Sequence, residues 1–235
     1  MIKAVFFDLY GTLAGFSPSR FEIQSQACKG FGITLTEGGT LQGYGEADSY
    51  MTDQNSVHPL RNRNELEIHE FFQEYERRVI AGSGVDVDQE TAGEIWKAVR
   101  SIPYDMIIYN DVIPVLGRLK GRRLRLGLLS NMNKSGSVLL DKFALTEHLD
   151  FAVTSHEVGS EKPHSPIFLA ALERAGCQGK ESVHVGDQIG SDVQGAEKAG
   201  IFPVLIDRDG NHRGYVGCPR IGGMSELEEV LEKID

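Results

Sequence analysis

The run Ala4-Val5-Phe6-Phe7 ends abruptly at Asp8, and Leu9-Tyr10-Gly11-Thr12-Leu13 follows at once. A short apolar run bounded by turn residues reads as a fully buried strand. A carboxylate placed where such a strand gives way to a Gly-Thr turn lies at the carboxyl edge of the sheet, where open α/β folds put their sites. One feature thus points to a fold class and to a first residue for chemistry.

The rest of the chain agrees with that class. From about Leu116 onward, strand-like and helix-like segments alternate, the pattern of βα units on a parallel sheet. Strands are expected at 124–129, 151–153, 182–186 and 202–206, and helices at 135–145, 166–175, 193–199 and 225–234. Ser225 is the expected N-cap of the last helix. Residues 16–104 differ: helical stretches at 20–31, 65–80 and 89–99 alternate with connectors around Gly38-Gly39, Asp53-Gln54-Asn55 and Gly82-Ser83-Gly84, with no convincing strand. Leu66, Ile68, Phe71, Phe72, Tyr75 and Val79 form an amphipathic stripe, and Phe71, Phe72 and Trp96 are expected to build that block's own core. A crossover between parallel strands needs only about a dozen residues, so a helical block this long reads as a cap. The expected fold class is α/β, a parallel-sheet core domain at 1–15 and 105–235 with an inserted all-helical cap domain at 16–104.

With 24 Lys+Arg against 34 Asp+Glu over 235 residues, the net charge is -10. Such a surface repels nucleic acid and anionic membranes, so neither is expected as a partner. An anionic small-molecule substrate is compatible if a local cation or metal meets it. The run Lys120-Gly121-Arg122-Arg123-Leu124-Arg125 fits a helix C-terminus and turn, not a basic binding patch. Cys28, Cys177 and Cys218 are odd in number and lack metal or redox spacing, which suits reduced thiols in a cytoplasmic protein. The four apolar residues before Asp8 are too few for a secretory or membrane segment. No sequence feature sets an oligomeric state.

Four polar sets fall where separate strands should end: Asp8 with Tyr10 and Thr12; Ser130-Asn131; Lys162 within Glu161-Lys162-Pro163; and Gly186-Asp187 through Asp192. Right-handed βα connections bring such ends to one edge of the sheet, so the four sets should converge. A carboxylate can serve as nucleophile and split one hard step into two easier ones. Three carboxylates (Asp8, Asp187, Asp192) crowded together need a cation between them, and oxygen-only ligands suit Mg²⁺. Lys162, Thr12 and Ser130 could hold the oxygens of a phosphoryl group. His184, inside a strand, reads as a packed histidine and not a ligand.

Together these four sets resemble the motifs of the haloacid dehalogenase-like (HAD) hydrolase superfamily. The resemblance runs from residue 1 to about Asp207. It implies a Rossmann-like core, a helical cap inserted after the first strand, Asp8 as nucleophile, and Ser130 and Lys162 as contacts to the transferred group. In phosphatase members it implies Mg²⁺ held by Asp8, Asp187 and the backbone carbonyl at Tyr10, with Asp192 in support. Thr12 and Asn131 complete the candidate catalytic set.

One position departs from the phosphatase pattern. Most family phosphatases carry an Asp two residues after the nucleophile as general acid and base, and here that place is Tyr10. A phenol with pKa near ~10 is a poor base at neutral pH. Asp-x-Tyr-Gly-Thr resembles the 2-haloacid dehalogenases, whose leaving halide needs no proton. Those enzymes lack the first acid of the fourth motif, which Asp187 retains here. They also use an early cap arginine for the substrate carboxylate, whereas no Lys or Arg lies between Lys29 and Arg61. The expected function is therefore a Mg²⁺-dependent phosphatase acting on a small phosphorylated metabolite through an aspartyl-phosphate on Asp8. The alternatives are a 2-haloacid dehalogenase and a non-catalytic binding module with a vestigial site.

Overall fold

The computed structural model describes residues 1–234. In chain order the elements are β1 (Ala4–Phe7), β2 (Ala14–Ser17), α1 (Arg20–Lys29), α2 (Glu37–Val57), α3 (Glu65–Ala81), α4 (Gln89–Ser101), β3 (Asp105–Ile108), α5 (Val112–Gly121), β4 (Arg125–Ser130) and α6 (Gly136–Lys142). There follow β5 (Phe151–Thr154), α7 (Ser155–Val158), α8 (Ser165–Ala175), β6 (Ser182–Gly186), α9 (Gln194–Lys198), β7 (Phe202–Ile206), β8 (Arg220–Ile221) and α10 (Leu227–Ile234). By contact the chain divides into two compact units. One is Met1–Gly15 with the chain from Ile107 on, the other Phe16–Met106.

The first unit is a six-stranded sheet in the order β5-β4-β1-β6-β7-β8, parallel throughout. β1 lies inside it between β4 and β6, which is why its four residues are all apolar and all buried. Side chains alternate across the sheet. Ala4, Phe6, Leu129 and Val153 meet Ile167, Phe168 and Ala171 of α8 and Ala196 of α9 in one apolar layer. Val5, Phe7, Leu126 and Leu128 point to the other face, and α5 lies against β4. Fully burying one such side chain contributes roughly 1.5–3 kcal/mol. The basic run sits at the end of α5 and in the turn before β4, at the edge opposite the strand ends that carry the polar sets.

The second unit is helical. α2 packs on α3, α3 on α4, and α1 on α4. Ser19 with Glu22 and Asn64 with Glu67 form reciprocal capping boxes that start α1 and α3. Phe72 stacks on Trp96 with ring centroids 4.4 Å apart, inside an aromatic cluster with Phe71 and Tyr75.

The structure corrects the sequence at three places here. Gly38-Gly39 and Asp53-Gln54-Asn55 are not connectors but lie inside the 21-residue helix α2. A Cβ on Gly43 would lie 2.1 Å from the carbonyl oxygen of Val79, and one on Gly39 would strike Ser83 and Gly82. The glycines let two helix backbones approach, and packing overrides their poor helix propensity. Ser225 does not cap α10, because it sits within a short 3₁₀ turn, Met224–Glu226, that precedes the helix. β2 and β3, absent from the sequence reading, pair as a two-stranded ribbon whose four-residue strands show too little pattern to register.

A buried carboxylate lies within the helical unit. Glu76 of α3 is fully buried; Gln24 donates to its Oε1, while Oε2 has no hydrogen-bond partner. Tyr44 in turn donates to Gln24 Oε1 at 2.9 Å. Burial raises the Glu76 pKa from the usual 4.5 to about 7, against the pull of Gln24. A raised folded-state value means that stability is fully present below pH 4.5 and is lost as pH rises through about 7. Glu76→Gln removes the penalty. The variant is expected to gain on the order of 3 kcal/mol over the wild type between pH 4.5 and 8, read as the difference in urea unfolding free energy. A difference that stays constant across that window sinks the assignment.

Candidate active site

Sheet register brings the four polar sets together. Phe7 lies beside both Leu128 and Val185, so Asp8 follows one step beyond the strand, near Ser130 at the end of β4 and Gly186-Asp187 at the end of β6. The Asp8 amide donates to the carbonyl of Val185 at 2.9 Å, which extends the ladder by one residue and fixes the carboxylate at the edge. The chain then turns tightly: Leu13 N–H donates to Leu9 O at 2.9 Å and Gly11 N–H to Ala14 O at 2.8 Å. Gly11 has φ +78°, and a Cβ there would lie 2.2 Å from Asp187 Oδ2. Both the left-handed backbone and the nearby carboxylate require glycine.

Lys162 is the hinge of the charge arrangement. Its ammonium lies 2.5 Å from Asp8 Oδ1 and 2.6 Å from Asp192 Oδ1, and all three side chains are buried. Asn131 holds it by the backbone. Its Nδ2 donates to Lys162 O at 3.1 Å, and Lys162 N–H donates to its Oδ1 at 2.8 Å. The segment Ile189–Val193 after β6 is a π-type turn and not the start of an ordinary α-helix, which runs only from Gln194. Such widened turns recur at functional sites. This one bends Asp192 back, so that Gln188 N–H donates to its Oδ2 at 3.1 Å and His184 Nε2 donates to its Oδ1 at 2.9 Å. Gly186 makes room, since a Cβ there would lie 2.2 Å from Asp192 Cγ.

Opposed forces set the protonation states. Burial pushes Asp8 up to about 6, an effect that Lys162 opposes and Asp192 reinforces. For Asp192, burial acts upward too, but Lys162 and His184 overcome it and hold the carboxyl well below its ordinary range. Burial acts to lower Lys162, and the two carboxylates more than offset it, so the ammonium is retained. Burial lowers the His184 pKa and outweighs the hydrogen bond and charge of Asp192, which act upward.

The remaining candidates are close in sequence to these groups. Tyr10 is half-buried in the turn after Asp8. Thr12 is fully buried and its Oγ1 has no hydrogen-bond partner. Ser130 is buried, its Oγ accepting from Met132 N–H at 3.3 Å. Two residues gain weight that sequence did not give them. One is His184. The other is Arg208, which donates to Thr12 O at 2.8 and 3.1 Å and pairs with both oxygens of Asp111, pinning the turn that carries Asp8. Its only sequence signal is a cation two residues past the apolar run of β7.

Asp8, Asp187 and Asp192 each present a carboxylate oxygen, all three atoms within 4.8 Å of one another. Three carboxylates thus meet around the Lys162 ammonium in a largely buried space. Hard, anionic oxygen donors so close together suit a divalent cation of the Mg²⁺ type. The donor set fits.

Known proteins resemble this chain in sequence and in fold. The haloacid dehalogenase-like hydrolase model matches residues 2–200. The chain belongs to this family. Among its relatives, a glyceraldehyde 3-phosphate phosphatase of Methanopyrus kandleri is 29% identical over 210 residues, 88% of this chain and 85% of that protein. The protein of the same name from Methanothermobacter thermautotrophicus is 35% identical over 122 residues, 48% of this chain; the match spans about half of that relative, 54%. A 2-haloacid dehalogenase from Pseudomonas syringae pv. Tomato DC3000 shares the fold over the whole of both chains, with a TM-score of 0.59 and 26% identity. Among the described residues of this HAD-like hydrolase, no helix is long and apolar enough to cross a membrane.

Proposed function

We propose that the chain is a Mg²⁺-dependent phosphatase acting on a small phosphorylated metabolite, with Asp8 as the nucleophile. The observation that carries this is Asp187, whose carboxylate lies with Asp8 and Asp192 inside a 4.8 Å cluster. A dehalogenase has no use for that extra charge. The two relatives called glyceraldehyde 3-phosphate phosphatase support the substrate class. The helical block at 16–104 is the proposed substrate-selecting cap.

Asp8 attacks phosphorus; the phosphorus–oxygen bond to the leaving group breaks, and an aspartyl-phosphate forms. Water then attacks that phosphorus, releasing inorganic phosphate and regenerating the carboxylate. Lys162, held in place by Asn131, lies against Asp8 and is placed to balance charge on the phosphoryl oxygens, with Ser130 and Thr12 as further donors. Thr12 supports that role because its buried hydroxyl has no protein partner. The carboxylates of Asp8 and Asp187 and the Tyr10 carbonyl would hold the Mg²⁺, supported by Asp192. When bound, the ion neutralises charge between nucleophile and phosphoryl group.

The test is a screen of phosphate esters with Mg²⁺ and with EDTA, run beside 2-chloropropionate. Phosphate release that EDTA abolishes is the expected result. Chloride release in the absence of metal would instead establish the dehalogenase reading, which Tyr10 and the dehalogenase relative favour.

Tyr10 also shapes the kinetics. Without a carboxylic acid at that position, esters with good leaving groups, such as aryl and acyl phosphates, should be the better substrates. Tyr10→Asp is expected to raise the rate on simple alkyl phosphates by about 10-fold or more, since acid–base catalysis typically contributes ~10²–10⁴. Aryl phosphates should change much less. An alkyl-to-aryl rate ratio that does not move counts against a missing acid.

A further inference from the structure

His184 stands out because it is polar in an apolar layer. It lies in mid-β6, paired in register with Phe6 and Pro203, and is fully buried. Its ring meets Phe168 edge-on with centroids 5.3 Å apart, in the same layer where Phe6 and Ile167 pack. An aliphatic residue would satisfy that layer without the cost of burying an imidazole. What the imidazole adds is one hydrogen bond, to Asp192 Oδ1 at 2.9 Å.

The chemistry of that bond is determined by its partner. A carboxylate only accepts, so Nε2 carries the proton, and a neutral ring then leaves Nδ1 as a bare lone pair. Nδ1 indeed has no hydrogen-bond partner, which a charged ring would make a buried, unpaired N–H. Asp192 Oδ1 also accepts from Lys162 at 2.6 Å. Two donors therefore converge on one oxygen and fix the orientation of the carboxylate.

We propose that His184 is a positioning residue: through its Nε2–H···Oδ1 bond it locks Asp192 in the orientation that lets the carboxylate cluster grip its divalent cation. This rests on the metal-dependent reading given above. Asp192 is held by Lys162 and His184 on Oδ1 and by Gln188 N–H on Oδ2, while its Cγ lies over Gly186. Take away His184 and Oδ1 keeps only Lys162, an ammonium that Asp8 also claims.

The test is calorimetric titration of the substrate-free protein with Mg²⁺, comparing wild type, His184→Leu and His184→Gln. Gln keeps an amide N–H at the ε position; Leu fills similar space with no donor. His184→Leu is expected to lose about 10–100-fold in Mg²⁺ affinity, as for other residues that orient metal ligands. His184→Gln should stay within a few-fold of wild type, although both variants melt at similar temperatures. Equal weakening in the two variants, or no weakening in Leu, overturns the proposal. A second measurement needs no metal: ¹⁵N NMR of His184 should show the Nε2–H tautomer, and an Nδ1–H tautomer overturns the proposal by itself. Absence of any Mg²⁺ uptake by wild type would instead sink the metal-dependent reading, an outcome the tautomer measurement tells apart.

Discussion

Asp8→Asn is expected to remove at least about 10³-fold of kcat/KM while leaving the protein folded. The amide oxygen of Asn is too weak a nucleophile to form an acyl-phosphate, so the covalent route closes. The geometry should survive, since Asn Oδ1 can still accept from Lys162, which lies 2.5 Å from Asp8 Oδ1. Stability should not follow activity. Two buried carboxylates, Asp8 and Asp192, share one ammonium, and their mutual repulsion together with burial raises the Asp8 pKa. Neutralising Asp8 relieves that repulsion and leaves Lys162 with Asp192, so in EDTA at pH 8 the variant should unfold at equal or higher urea. This is the trade expected of a site organised for chemistry over stability. Activity within 10-fold of wild type would show that Asp8 is not the nucleophile. A clear loss of stability would show that the pair with Lys162 outweighs the repulsion.

Much of the fold is legible in the sequence, for a physical reason. Buried parallel strands are short apolar runs, and the polar residues that stop them are the ones the sheet delivers to its edge. β1, β6 and β7 fall where the apolar runs at 4–7, 182–186 and 202–206 place them, and β4, β5 and α8 differ from expectation by a residue or so. α2 was not legible. Its glycines answer to α3, a partner that periodicity along one segment cannot see. Asn131 shows the same limit within the site. Sequence places it beside Ser130 in the candidate catalytic set, yet both ends of its amide are engaged with the Lys162 backbone, 31 residues on. We read it as acting through Lys162. Sequence gives no weight to His184 or Arg208 in the site, because their partners, Asp192 for one and Asp111 with Thr12 for the other, are close only in three dimensions.

Lys162→Met should be the most destabilising single change in the site, and the one whose effect depends most on conditions. Met has similar length and none of the charge, so packing is nearly kept and electrostatics are not. Wild-type Lys162 is 4% exposed and bridges Asp8 and Asp192. Its loss leaves two buried carboxylates facing each other with no cation between them, and removing one partner of a buried pair costs about 3–5 kcal/mol. Three consequences separate this from a packing defect. Acidification should restore part of the stability, because protonating Asp8 removes one of the facing charges. Saturating Mg²⁺ should also restore part, since a ligand bound only by the folded state stabilises it. Adding Asp8→Asn should recover stability too, so that the double variant is less damaged than the sum of the singles, the sign of direct coupling. Turnover should fall with or without Mg²⁺, because the ammonium that steadies the phosphoryl oxygens is gone. The measurement is urea unfolding of the two single variants and the double at pH 5 and pH 8, in EDTA and in Mg²⁺. If the loss is the same in every condition, cavity formation explains it and the charge arrangement around Lys162 is wrong.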